Sequence, residues 1–163
     1  MRGCRGISQA EAEKTLSAWY ADRPEVRQWQ EDTRAMARRT GAVTTMMGRY
    51  RNLPDALSQG DFRARGHALR AAINTPIQGS AADIVMMAML RIWRSEVLRA
   101  LKWKLLLQIH DEVILEGPEE HRDAAMAEVL ECMQNPFDGI GLMPMRVKLE
   151  VDAKSAKTWY KAK

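Results

Sequence analysis

Residues 105–116 read Leu105-Leu106-Leu107-Gln108-Ile109-His110-Asp111-Glu112-Val113-Ile114-Leu115-Glu116, two apolar runs rich in Leu, Ile and Val that are broken by one short polar step. Such runs on either side of a brief break predict a tight β-hairpin over residues 103–116, whose tip presents carboxylates to solvent or to a metal. A carboxylate there offers the hard oxygen that Mg²⁺ takes as a ligand. Neighbouring residues of an extended chain point to opposite sides, so Asp111 and Glu112 share one ion only if the turn rotates them. Taken by itself, His-Asp-Glu also describes a solvated turn without chemistry.

Upstream of the hairpin runs Arg70-Ala71-Ala72-Ile73-Asn74-Thr75-Pro76-Ile77-Gln78-Gly79-Ser80-Ala81-Ala82-Asp83. Arg70 and Asn74 are four apart and project from nearly the same helical face, with donors suited to nucleic-acid acceptors. A helix opened by Asp61 is expected to end or kink near Thr75, because Pro76 lacks an N–H and pushes its predecessor out of the helical region. Gln78 then lies after that break. Ser80-Ala81-Ala82-Asp83 reads as a capping-box variant that opens the longest helix, out to about Ala100. Arg70 also reads as a plain surface charge and Asn74 as a helix-terminal cap.

Further toward the start, Ser8 begins a capped helix with Leu16, Trp19 and Tyr20 at helical spacing. Pro24 starts a second helix whose stripe is Val26, Trp29, Thr33, Met36 and Ala37, ending near Gly41. Their apolar spacing makes both helices core elements. Residues 42–47 read as a short strand or extended loop. Beyond the hairpin, Pro118 sits at the first turn of a helix that Asn135-Pro136 ends. Met145, Val147, Leu149 and Val151 then alternate with charged residues as a half-buried strand, with Trp159 and Tyr160 pinning the tail. The fold class is α+β, several helices with a small, mostly antiparallel sheet that includes the hairpin.

At 163 residues, 46% hydrophobic and 28% charged, the chain has the composition of a globular domain or part of one. No apolar run approaches the roughly 20 residues of a membrane span, and the start lacks a secretory signal pattern. Cys4 and Cys132 are far apart with no second ligand nearby, which leaves neither a zinc site nor a disulfide framework. Net charge is +4, unevenly spread: residues 1–70 hold 13 Lys+Arg against 8 Asp+Glu, and residues 71–163 hold 12 against 13. Twelve of the first thirteen are Arg, whose planar fork suits bidentate phosphate contacts. The same surplus also describes a solvated helical surface.

Three ordered segments carry a resemblance: Thr44-Thr45-Met46-Met47-Gly48-Arg49-Tyr50-Arg51, then Arg70 through Asp83, then Gln108-Ile109-His110-Asp111-Glu112. In order and spacing the chain resembles the carboxy-terminal part of an A-family DNA polymerase, the bacterial DNA polymerase I type, over nearly its whole length. Ala72-Ile73-Asn74-Thr75-Pro76, residues 113–118 and Val151-Asp152-Ala153-Lys154 are most similar to the plant and algal organellar branch, which implies a mitochondrion or plastid.

The resemblance implies a helical fingers portion over residues 1–41 and a palm portion over 42–163. It makes Asp111 the palm aspartate that ligates catalytic Mg²⁺, with Glu112 as acidic neighbour and His110 beside the primer terminus. Arg70, Asn74 and Gln78 would read minor-groove acceptors that every correct base pair presents alike. Arg49 and Arg51 would grip backbone phosphates. Primer-template DNA and a deoxynucleoside triphosphate are the implied partners, with no membrane and no obligate protein partner indicated.

Two family pieces are not among these residues: the Asp-Tyr-Ser-x-x-Glu-like segment with the second metal-binding aspartate, and the Arg- and Lys-bearing nucleotide helix. Two-metal chemistry needs carboxylates from two segments to hold ions about 3.5–4 Å apart. The polypeptide alone is therefore expected not to polymerise DNA. The alternative is a non-catalytic duplex DNA-binding module that kept the DNA track. A metal-dependent nuclease built on Asp111 and Glu112 lacks a further acidic motif at ligand spacing.

Overall fold

Ser8 caps the first helix as read. Its hydroxyl accepts from the Glu11 amide at 3.3 Å while the Glu11 carboxylate accepts the Ser8 N–H at 2.9 Å, starting α1 over Gln9–Asp22. The computed structural model describes residues 8–139, 141 and 145–162; Cys4 lies outside them. The described chain divides into one unit through Ile77 and another from Gln78.

In the first unit, α2 runs over Pro24–Thr40, with Pro24 in its first turn and Gly41 at φ 66° closing its end. Of the stripe read from sequence only Thr33 and Ala37 are buried, with Val26 partly so. The expectation that α1 is a core element is corrected: none of its residues is buried, and Leu16 and Trp19 stay exposed. It meets α2 through Tyr20, which donates to Gln30 Oε1 at 2.9 Å and lies under the Arg27 guanidinium, while Trp19 packs edge-on against Tyr20 within α1. One neighbouring helix covers too little of a helix to bury it. Residues 42–52 form a hairpin of β1, Ala42–Thr44, and β2, Tyr50–Asn52, antiparallel with Val43 opposite Arg51. Val43, Leu53 and Ala56 pack with Ala37 of α2 and with Ala68, Leu69 and Ala72 as the unit's core.

Those last three residues belong to α3, Phe62–Arg94, capped by Asp61, whose Oδ1 accepts from the Arg63 and Ala64 amides at 3.0 and 2.9 Å. Here the sequence reading needs its largest correction. The helix does not end near Thr75; it continues through Pro76, and Ser80-Ala81-Ala82-Asp83 opens nothing. Proline inside a helix costs about 3 kcal/mol. Burial offsets that on both sides, with Ala68, Leu69 and Ala72 before it and Ala88 and Ile92 after it. Asp83 is a buried mid-helix residue, 7% exposed, rather than a capping one.

The second unit continues from α3 into α4, Glu96–Ala100, which Ser95 caps. Leu98 and Ile92 join Ala125 and Cys132 of α5, Arg122–Gln134, in a core also touched by Trp103, Leu105, Val113 and Leu115. Burial pushes the Cys132 thiol up to about 11, with Glu128 adding to the effect, so it behaves as a small apolar side chain. The helix after Pro118 begins four residues later than read, behind a single 3-10 turn at Glu119–His121. Residues 104–116 form the predicted hairpin, β3 over Lys104–Ile109 and β4 over Glu112–Glu116.

The period-two segment 145–151 is not a strand. Met145, Leu149 and Val151 are half-buried as the alternation requires, but Val147 is 64% exposed and no ladder pairs the segment. Alternation sets which side faces inward; a strand also needs a neighbour for its N–H and C=O groups. In place of the one small sheet expected, the described residues form two two-stranded antiparallel sheets in a mostly helical α+β chain. Tyr160, expected to pin the tail, is 90% exposed beside Trp159 in α6, Trp159–Ala162.

Candidate nucleic-acid and metal site

The tip of the second hairpin is a two-residue loop. Ile109 pairs with Glu112, leaving His110 and Asp111 to make the turn. His110 adopts φ 55°, and Asp111 is not among the positive-φ residues. A positive angle at the first loop residue alone is the II′ pattern, where glycine is the usual occupant. Histidine enters this region more readily than most side chains, yet still against its preference. The Gln108 side-chain amide donates to the His110 carbonyl and ties the turn down from inside. Leu106 is the extra residue of a bulge between the Leu105 and Leu107 pairings, which bends β3 just before the tip.

His110, Asp111 and Glu112 are all exposed. The Asp111 carboxylate makes no ion pair among the described residues. It therefore fits a divalent cation as one hard oxygen donor. It does not make a complete site: no group of three His, Cys, Asp or Glu among the described residues is arranged to hold a metal.

On α3, Arg70 and Asn74 are exposed, whereas Ala68, Leu69 and Ala72 are buried. At 3.6 residues per turn, Arg70 and Asn74 fall roughly opposite Ala72, on the side away from the core. Gln78, the first residue of the second unit, lies within α3 rather than after a helix end, and it is exposed.

The first hairpin carries the two arginines of the basic half that sequence singled out. Gly48, at φ 77°, donates to the Thr45 carbonyl at 3.0 Å, and the Thr45 N–H donates to the Arg49 carbonyl at 3.0 Å. This is a three-residue loop closed by a left-handed residue, which glycine occupies without strain. Thr45, 7% exposed, also accepts the Arg49 amide on its hydroxyl at 3.2 Å, so the loop holds Arg49 from both backbone groups. Arg51 follows on β2, where its Nη1 donates to Thr75 Oγ1 of α3 at 3.1 Å. Several other arginines of this half are occupied locally: Arg23 by Asp22 and the Trp19 ring, Arg27 by Glu31 and Tyr20, and Arg65 by Phe62. No described helix is long and apolar enough to cross a membrane.

The sequence pattern described as DNA polymerase family A matches residues 2–161. The chain belongs to DNA polymerase family A. Among curated family A proteins it is 50% identical over 157 residues to DNA polymerase I A, chloroplastic, of Oryza sativa subsp. japonica, covering 96% of this chain and 15% of that protein. DNA polymerase I A, chloroplastic/mitochondrial, of Arabidopsis thaliana gives 50% over 157 residues, covering 96% and 14%. DNA polymerase I of Geobacillus stearothermophilus gives 41% over 160 residues, covering 96% and 17%. In structure the chain is similar to the POL domain of Pol1 from M. smegmatis in complex with DNA primer-template and dNTP, with TM-score 0.85 and 35% identity over 96% of this chain and 26% of that one. This family A chain thus spans about a seventh of the length of the plant relatives it matches.

Three residues that fix this geometry escaped the sequence reading: Thr45, Thr75 and Gln108. Each acts through a hydrogen bond to nearby or distant backbone or side chain. Threonine in a hairpin or helix otherwise signals only β-branching, and a glutamine in a strand only an exposed position.

Proposed function

We propose that this chain supplies one half of a nucleotidyl-transfer site, in which a primer 3′ hydroxyl attacks the α-phosphate of a deoxynucleoside triphosphate on a DNA template. The observation that carries the reading is Asp111, an exposed carboxylate on a two-residue turn, within a chain of family A. In this reading residues 1–41 belong to the fingers and 42–163 to the palm. Asp111 is a Mg²⁺ ligand, Glu112 its acidic neighbour, and His110 lies by the primer terminus. Bound Mg²⁺ supplies Lewis-acid stabilisation of the charge that develops on the transferring phosphoryl group. Arg70, Asn74 and Gln78 read minor-groove acceptors, and Arg49 meets backbone phosphate. Names of the plant relatives include chloroplastic and mitochondrial, which supports an organellar setting.

The 163 residues on their own are expected to incorporate no nucleotide above background in a Mg²⁺-dependent primer-extension assay. The second carboxylate and the triphosphate-gripping helix are not among them, and such groups account for most transition-state charge stabilisation. Robust extension by the purified polypeptide would refute this. The second reading, a duplex-binding module without catalysis, draws on the absence of a three-ligand metal cluster among the described residues. It shares the DNA face and differs only when the missing carboxylate is restored.

Duplex binding by the polypeptide should weaken steeply with salt. Arg49→Ala is expected to reduce the slope of log K against log salt by about 0.9, one released counterion, for every sequence alike. An unchanged slope would remove Arg49 from the phosphate contact.

A further inference from the structure

Pro76 leaves a specific defect in α3. It has no N–H to give the Ala72 carbonyl, and its ring crowds that carbonyl, so the helical ladder is weakest in this turn. The residue just before it, Thr75, is 8% exposed and bonded in both directions: Oγ1 donates to the Ala71 carbonyl at 2.8 Å and accepts from Arg51 Nη1 at 3.1 Å. A relay therefore runs from β2 through the Thr75 hydroxyl into the helix backbone, within the unit that ends at Ile77.

Beside that bond lies an apolar part of the contact with α3. Val43, Leu53 and Ala56 meet Ala68, Leu69 and Ala72, side chains that fix how close the helix comes but have no directional preference. Small residues such as alanine leave a helix free to roll on such a surface. A charge-assisted hydrogen bond at one edge of the contact resists that roll, since it weakens steeply as its angle opens. The side that the roll would move carries Arg70 and Asn74.

We propose that Arg51 is a positioning residue: it straps β2 to α3 at Thr75, where Pro76 interrupts the ladder, and thereby sets the rotation at which Arg70 and Asn74 are presented, instead of gripping a DNA phosphate. The DNA part of this inference rests on the nucleic-acid face proposed above; the strap itself does not. Lysine would keep the charge at position 51 but not the planar fork that aims one N–H at a buried hydroxyl.

The test is a double-mutant cycle in the 163-residue polypeptide, read by denaturant unfolding and by titration of a fluorescent duplex at several salt concentrations. Thr75→Val removes the hydroxyl and leaves Arg51 in place; Thr75→Ser keeps the hydroxyl. Thr75→Val and Arg51→Ala are each expected to lower the folding equilibrium constant about tenfold, and the double variant about tenfold as well, because both break one relay. Thr75→Ser should stay within about twofold of the parent. Both single variants should weaken duplex binding several-fold with the salt slope unchanged. Additive stability losses overturn the strap. A slope reduced by about 0.9 in Arg51→Ala, with binding intact in Thr75→Val, overturns it too and returns Arg51 to the phosphates. If the parent binds no duplex, the DNA face of the proposed function fails, and the unfolding cycle still decides the strap.

Discussion

Asp111→Asn is expected to lower nucleotide incorporation about a thousandfold in a chimera where residues 2–161 replace their counterpart in a full-length plant polymerase I. That host restores the carboxylate and the nucleotide helix that these residues do not include. A thousandfold is about 4 kcal/mol of transition-state stabilisation, the scale of losing one preorganised charge contact. Asparagine keeps the size and the turn preference of aspartate, so the hairpin should remain, while the anionic oxygen that suits a divalent cation is gone. Primer-template affinity should change by no more than about threefold, because the loss falls on the chemical step and not on duplex contacts. Glu112→Gln should cost only about tenfold, as β4 begins at that residue and the turn lies before it. Single-turnover incorporation and a DNA-binding titration, run side by side, measure both quantities. Full activity in the Asp111→Asn chimera would dismiss Asp111 as a metal ligand, and a chimera that stays inactive with Asp111 intact would favour the duplex-binding module.

The same hairpin shows which parts of this structure were legible in the sequence. Two Leu/Ile/Val runs around His-Asp set strand, turn and exposed carboxylate together, because each follows from local alternation and from the need of a polar pair to leave the core. Helix starts at Ser8, Pro24 and Asp61 were legible for the same reason, since a cap is a local bond. What failed depended on partners far along the chain. Pro76 was read as an end or a kink because its local cost is real, but the helix runs on, with Ala72 buried before it and Ala88 after it. Val147 and its neighbours alternate in sequence and still form no strand, since no strand among the described residues pairs them. The basic half was read as an Arg-rich, polyanion-facing surface. In the fold Arg23, Arg27, Arg51 and Arg65 are occupied by nearby rings, carboxylates or a hydroxyl, a fact that charge counting does not contain.

Gly117→Ala is expected to unfold the second unit's hairpin from its core, at a cost of about 3 kcal/mol or more. A methyl group built at this position would sit 2.4 Å from Cδ1 and Cγ of the Trp103 indole, inside any tolerable contact. The ring has little freedom to yield. Its Nε1 donates to the Pro118 carbonyl at 3.2 Å, one residue beyond the glycine, and its body packs in the core with Leu98, Leu105 and Leu115. Its backbone is fixed as well: Trp103 N–H donates to the Leu98 carbonyl at 2.9 Å and Lys102, at φ 61°, turns the chain out of α4, the pairing of a helix that ends in a left-handed residue. Overpacking a fitted core costs about 1–3 kcal/mol when side chains can shift. Here the clash involves a ring tied at its nitrogen and a backbone tied at its amide, so the upper end applies. Trp103→Leu in the same chain should restore part of the loss by removing the ring that clashes, even though it forfeits the bond to Pro118. Unfolding midpoints of the two single variants and the double variant measure this; a Gly117→Ala chain as stable as the parent would mean that the indole does not lie over the strand end. Since β4 leads back from Gly117 to Glu112, such a loss would also release the turn that carries Asp111.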